Sequence, residues 1–123
     1  MVILYRATNS QLSSLLESSK YLEIDGLLLP VGEEIAPRFL LELEIAELNQ
    51  DFKNCFWWTP RLIVVDQLIV GMISFKKPPD LSGSVEIGYG IVSSQRKRGF
   101  ATQAVNLLVK EGFSRTEVQM IVA

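Results

Sequence analysis

The stretch that decides the fold runs Val85-Glu86-Ile87-Gly88-Tyr89-Gly90-Ile91-Val92, then Ser93-Ser94-Gln95, then Arg96-Lys97-Arg98-Gly99-Phe100-Ala101-Thr102. Its first part reads as a strand over Ser84–Val92. Its last part opens a helix over Phe100–Phe113, because Ala101, Ala104, Val105, Leu108 and Val109 recur at helical spacing and Gly112 sits near the expected end. Between them lies a polar, basic loop, Ser93–Gly99. The first N–H groups of any helix lack an intrahelical partner, and the helix dipole makes that end electropositive. A strand that delivers the chain to such an end is suited to holding a phosphate or pyrophosphate. Gly99 would let backbone and ligand approach closely, Ala101 keeps the first turn free of bulk, and Arg96, Lys97 and Arg98 add positive charge. Taken alone, a basic triplet is more often a solvated charge run; its flanks are what turn the reading toward phosphate.

Upstream of this stretch the period is that of strands. Leu62–Val65 and Leu68–Phe75 are rich in β-branched residues and are separated by Asp66-Gln67, the length of a tight hairpin, although the dipeptide leaves the turn type open. Lys77 to Gly83 is a loop by composition. Further back, Ile35, Phe39, Leu43, Ala46 and Leu48 recur at near-helical spacing, which predicts an amphipathic helix over Glu33–Gln50. Its Glu42, Glu44 and Glu47 read as a solvated face; near an acceptor site they would favour a cationic amine. Asp25–Gly32 reads as a loop. Thr8-Asn9-Ser10 offers N-caps for a short helix carrying Leu12, Leu15 and Leu16, and Val2–Ala7 is a β-prone run. Downstream, Glu117–Ala123 reads as a last strand. The order β-α-α-β-β-β-α-β, an antiparallel meander followed by a strand–helix–strand crossover, implies an α/β (α+β) fold: a mixed, mostly antiparallel sheet with helices on its faces.

The 123 residues show no repeat or linker and read as one domain over residues 1–123. A composition of 48% hydrophobic and 21% charged residues is that of an ordinary globular protein. A net charge of −2 argues against a nucleic-acid partner. No apolar run approaches the roughly 20 residues of a membrane-spanning helix. The first residues lack the features of a signal peptide, so a cytoplasmic location is the default expectation. A single cysteine, Cys55, excludes an internal disulfide and a cysteine-cluster metal site, and the absence of histidine rules out Ser-His and Cys-His catalysis and histidine-ligated zinc. Proton transfers therefore fall to carboxylates, tyrosine, lysine or water, and no metal is expected. Trp57-Trp58, just before a strand, reads first as packing against a helix and second as a ligand contact.

Arg96-x-x-Gly99-x-Ala101 resembles the [Q/R]-x-x-G-x-[G/A] pyrophosphate loop of the GNAT N-acetyltransferases, and the flanks match as well: Val85–Ile91 ahead of it, Ala101-Thr102-Gln103-Ala104 behind it, and Ile69-Val70-Gly71-Met72-Ile73-Ser74-Phe75 upstream. The resemblance covers the element order of the whole chain and is sharpest over residues 61–113. It implies acetyl-CoA as cosubstrate. Backbone groups of Ile91, Val92 and Ser93 would pair with the pantetheine and the acetyl carbonyl, and backbone N–H groups from Lys97 through Gly99, Phe100 and Ala101 to Thr102 would bind the pyrophosphate. Arg96 and Arg98 are placed either to touch the nucleotide phosphates or to lie in solvent. The implied reaction is direct attack of a neutral primary amine, on a small molecule or a protein N-terminus, with Glu86 as the candidate base, acting directly or through a water. The acceptor pocket is expected from the variable loops 20–33 and 76–83.

Domains of this family usually continue past the strand corresponding to Glu117–Ala123 with a helix and a closing pair of strands, often carrying a tyrosine acid. The expectation is thus a C-terminally shortened form with an apolar edge at Met120–Ala123, arising naturally, from a cut chain, or from a sheet that a second chain completes. A homodimer through that edge is the preferred structural expectation. Two functions follow: an acetyltransferase, or a shortened, weakly active or inactive CoA-binding and dimerisation module. A different nucleotide-binding α/β domain is disfavoured, because the loop follows a meander and lacks G-x-G-x-x-G.

Overall fold

The computed structural model describes residues 1–17 and 23–123. Its strands are β1 (Val2–Arg6), β2 (Glu23–Ile24), β3 (Leu27–Leu28), β4 (Arg61–Val65), β5 (Leu68–Phe75), β6 (Ser84–Ile91) and β7 (Met120–Val122). Its α-helices are α1 (Asn9–Leu16), α2 (Arg38–Gln50), α3 (Cys55–Trp58) and α4 (Phe100–Phe113). The central meander is antiparallel, β1 with β4, β4 with β5 and β5 with β6, while β7 joins β6 in parallel through Ser84–Glu86. The mixed, mostly antiparallel sheet expected from the sequence is the one observed.

Side-chain alternation sends β4 and β5 residues to two cores. Leu62, Val64 and Met72 pack with Leu12 and Leu15 of α1 and Leu41 and Leu48 of α2. Ile63, Ile73, Phe75, Val85 and Ile87 pack with Ala104 and Leu108 of α4 and with Phe56 and Trp57 of α3. Helices thus cover both faces of the sheet. Arg61 lies wholly buried between α3 and α4, where its guanidinium donates to the Phe56 and Thr59 carbonyls at 2.6 and 2.7 Å and pairs with Glu111 at 3.1 Å. Those partners replace the water the guanidinium loses; an unpaired charge there would be strongly destabilising.

Several local expectations are corrected. Asp25–Gly32 is not simply a loop: Asp25 and Gly26, both at positive φ, turn the β2–β3 hairpin, the chemistry that an Asp-Gly dipeptide favours. Asp66 and Gln67 are likewise both at positive φ, so the β4–β5 turn is the type I′ kind despite lacking glycine. The helix expected over 33–50 begins only at Arg38. Pro37 stands at its N-cap with extended ψ, and a proline disfavours helical backbone in the residue before it. Its buried face agrees with expectation at Leu48 but not elsewhere: Leu41 is buried, whereas Phe39, Leu43 and Ala46 are exposed. The final strand is shorter than Glu117–Ala123, because the chain pairs with β6 only from Met120 to Val122. At the other end the expected cap holds, with Thr8 and Gln11 forming a reciprocal capping box.

Candidate active site

The β6–α4 junction places the basic loop at the end of the strand. A short 3-10 turn over Ser93–Gln95 follows Val92, then Lys97 and Gly99 both take positive φ, at 64° and 78°. Gly99 tolerates that backbone freely; Lys97 adopts it at some conformational cost. Gly99 stands at the N-cap of α4, and its carbonyl accepts from Gln103 N at 3.1 Å. Among the described residues, none offers an acceptor to the backbone N–H groups of Lys97, Arg98, Gly99, Phe100, Ala101 or Thr102. All of these residues except Arg98 border, with Arg96 and the end of β6, a cavity of about 440 Å³.

The side chains of the loop do not all point to that cavity's ligand space. Arg96 Nε donates to the Ile91 carbonyl at 2.9 Å, and Arg98 reaches Gln95 Oε1 at 3.3 Å. The Val92 N–H belongs to the sheet, donating to Val70 O at 2.8 Å, and the Val92 carbonyl accepts from Gln95 at 3.0 Å. The Ser93 carbonyl accepts from Arg96 N at 3.5 Å. Beside them, Ser94 donates from both its N–H and its hydroxyl to Glu33. Those two bonds hold the Glu33 carboxyl below the usual carboxylate range, tying the segment before α2 to the loop.

A second cavity, of about 540 Å³, opens between α2 and the middle of β5 and β6. Ser74 pairs with Gly88 and Met72 with Gly90 across the two strands. The Lys76 side chain lies beside Gly88, whereas Gly90 leaves the α2-facing side of β6 bare. A Cβ built on Gly90 would meet nothing within 4 Å, so open space stands where a side chain would be. The other walls are mainly apolar, including Ile35, Leu40, Met72 and Trp58. Tyr89 and Gly90 border both this cavity and the one at the loop, so the two meet at the same strand residues.

Glu44 borders this second cavity, with its carboxyl turned toward Ser74. Its Oε1 accepts from the Ser74 hydroxyl at 3.1 Å, while Oε2 is buried with no hydrogen-bond partner among the described residues. Burial disfavours the charged form more than the Ser74 bond favours it, and the carboxyl is pushed up to about 7. The solvated face read for Glu42, Glu44 and Glu47 therefore holds for Glu42, which pairs with Arg38 in solvent at 2.8 Å, but not for Glu44. Leu41, Glu44 and Leu48 fall at i, i+3 and i+7 on one stripe of the helix, so burial of the two leucines carries Glu44 inward with them.

Glu86 lies on the same sheet face as Gly88 and Gly90, because side chains alternate along β6. Its carboxylate is half-exposed and paired with Lys76 Nζ at 2.8 Å. Four residues separate it from Gly90, about 13 Å along a strand. Of the two tryptophans, Trp57 is core, edge-on to Phe56 and Phe75. Trp58 donates its indole N–H to Asp51 at 2.9 Å and turns a side to the second cavity. Of the loops expected to shape the acceptor pocket, only Lys77 of 76–83, together with Lys76, and none of the described residues of 20–33 border that cavity; residues 20–22 lie outside the described residues.

Residues 33–123 match the family described as "Acetyltransferase (GNAT) domain". No curated protein is a significant match. Among solved structures, the chain is similar to the ribosomal L7/L12 alpha-N-protein acetyltransferase RimL in an apo crystal form, at 16% identity and a TM-score of 0.65, covering 98% of this chain and 66% of that one. It is also similar to a predicted acetyltransferase with acetyl-CoA from Clostridium acetobutylicum, at 19% identity and a TM-score of 0.59, covering 100% and 80%. A third is the dodecameric spermidine N-acetyltransferase of Vibrio cholerae, at 12% identity and a TM-score of 0.63, covering 98% and 68%. At such identities the likeness is one of fold, and this chain spans about two thirds of the length of RimL. The family match covers most of the chain, from the segment before α2 through β7: this protein belongs to the GNAT acetyltransferases.

Proposed function

We propose that this chain transfers an acetyl group from acetyl-CoA to a primary amine by direct attack. The observation that carries the reading is the run of N–H groups from Lys97 to Thr102 with no acceptor, at the border of one cavity, while a second cavity reaches the same strand residues, Tyr89 and Gly90, from the α2 side. Donors fixed by the loop and the α4 N-terminus suit the pyrophosphate of a nucleotide. The acetyl-CoA in the Clostridium structure supports the choice of cosubstrate. Acetyl-CoA supplies the acetyl thioester; the chain's own residues do the rest. The loop N–H groups anchor the diphosphate, with Lys97 and Arg98 adding positive charge. The bare edge of β6 leaves room for the pantetheine arm beside Ile91, Val92 and Ser93, with Arg96 releasing the Ile91 carbonyl to it. An amine arriving through the α2 cavity then meets the thioester near Gly90.

Most amines are ammonium ions near neutral pH, so a base must remove a proton before attack. Glu86, the position the family resemblance points to, is paired with Lys76 at the solvent edge. Glu44 borders the second cavity itself. The acceptor is a small-molecule or protein N-terminal amine, the two kinds that the spermidine and ribosomal-protein enzymes among the structural neighbours modify.

Calorimetric titration of acetyl-CoA into the wild-type chain and the Gly99→Pro variant tests the reading. Proline cannot take the positive φ of residue 99 and removes one of the free N–H groups. Saturable binding by wild type, lost in a variant that keeps its melting transition, is the expected result; a folded wild-type chain that binds no acetyl-CoA overturns it.

A further inference from the structure

We infer that the cavity between α2 and β5–β6 takes a monocationic primary amine with an apolar body, and that Glu44 holds its ammonium group and accepts its proton. The inference rests on the acetyltransferase reading above and names the acceptor class of that site.

Glu44 has one oxygen satisfied by Ser74 and the other buried and unpaired. A buried acceptor without a partner is costly, and an N–H donor brought by a ligand would remove that cost once the carboxyl turns Oε2, closed to water in the unliganded chain, toward the cavity. The donor with the most to offer is an ammonium, which adds charge to the hydrogen bond. Much of the remaining wall is apolar: Ile35, Leu40, Leu43 and Met72 border the cavity, and Trp58 has already committed its N–H to Asp51. The volume, about 540 Å³, lies within the range of small-ligand sites, roughly 300–1,000 Å³.

The charges around the cavity argue for a single positive centre. Glu47 of α2, Lys76 and Lys77 at the end of β5 and Tyr89 of β6 are the other titratable groups that border it. In formal charge Lys76 is matched by Glu86 and Lys77 by Glu47, which leaves Glu44 as the one carboxylate open to a cation and no counter-charge for a second. A polyamine would bring such a cation; an alkylamine or arylalkylamine would not.

The proton account closes without another reagent. The ammonium gives one proton to Glu44 Oε2, and the freed lone pair forms the C–N bond at the thioester carbonyl. As the C–S bond breaks, the second proton lost by nitrogen passes to the departing thiolate, and Glu44 returns its own proton to solvent. Burial keeps this carboxyl near neutrality in its proton affinity, the condition under which a base works best at neutral pH.

The test uses phenethylamine as probe, titrated into the wild-type chain and the Glu44→Gln variant at pH 8, without CoA, with acetyl-CoA affinity measured separately on the same preparations. Glutamine keeps an oxygen for Ser74 but cannot take a proton. The expected result is saturable phenethylamine binding that weakens at least tenfold in the variant and falls as pH drops below 7 in wild type, with acetyl-CoA affinity equal in both proteins. Spermidine and 2-phenylethanol, the latter with the same body and no ammonium, should each bind wild type more weakly than phenethylamine; this comparison needs no variant. Absence of phenethylamine binding, equal affinity in Glu44→Gln, or equal affinity for 2-phenylethanol overturns the inference. Acetyl-CoA binding decides the reading of the β6–α4 loop alone, so the two failures are distinct.

Discussion

The β6–α4 loop and the α2 cavity touch the same strand, yet they handle charge in opposite ways. The loop presents its positive groups to solvent: unpaired backbone N–H donors, Lys97 and Arg98, on a shallow opening. The cavity has a largely buried carboxyl, that of Glu44, at its wall, with one oxygen unpaired among the described residues. A site of the first kind is made by sequence-local geometry, a strand end, two residues at positive φ and a helix start. A site of the second kind exists only because a helix is laid across a sheet with a particular rotation. The loop can bind an anion while remaining wet; the cavity can discriminate, because a desolvated carboxylate is costly until the right cation arrives.

Substitutions can separate the two halves, and the largest effect is expected at Glu44. Glu44→Gln should lower kcat/KM for an apolar primary amine by roughly 100- to 1,000-fold, within the range for loss of a general base, and leave acetyl-CoA affinity unchanged. Steady-state kinetics beside calorimetry reads both, and a loss confined to acetyl-CoA binding would break the division drawn here.

Next in size is a pH effect on stability that needs no ligand. The Glu44 carboxyl is raised from 4.5 to about 7 in the folded chain, so between those values the folded state binds a proton that the unfolded state has lost. The stability this contributes is fully present below pH 4.5 and is lost as pH rises through 7. The difference amounts to at most on the order of 3 kcal/mol. Urea denaturation of wild type and Glu44→Gln from pH 4.5 to 8 should show the fall in wild type relative to the variant; parallel curves would place the carboxyl in contact with water.

Gly99→Pro should weaken acetyl-CoA at least about tenfold, since it removes a donor and distorts the loop. Phenethylamine binding should be unaffected, because Gly99 does not border the α2 cavity. Smallest of all, Glu86→Gln should change kcat/KM by less than about fivefold. Its exposed pair with Lys76 is of the kind that contributes little. A loss at Glu86 as large as that at Glu44 would move the proton acceptor back to β6 and sharpen the site toward the strand.

What could be read from residues alone follows the same division. The meander, the β6–α4 crossover and the N-terminal cap were legible because each rests on neighbours in sequence: alternation in Leu62–Val65 and Leu68–Phe75, the Thr8–Gln11 spacing, and a glycine ahead of an alanine-rich helix start. The β2–β3 hairpin, read as a loop over Asp25–Gly32, left only the Asp25-Gly26 turn as a signal, because two-residue strands carry no periodicity of their own. The rotation of α2 was not legible. Phe39 and Leu43 offer as apolar a stripe as Leu41 and Leu48, and only packing against Leu62 and Met72 decides between them.

The sequence by itself determined the family, the sheet that carries it and the place of the basic loop, because strand alternation, helix periodicity and backbone N–H groups at a helix start are properties of short segments. Tertiary structure alone decided that Arg61 is buried and matched by carbonyls and Glu111, that Arg96 folds onto Ile91, and that Glu44 faces inward while Glu42 faces water. Each of those outcomes depends on desolvation. How far a charge is removed from water is set by what lies across from it, often many residues away in sequence.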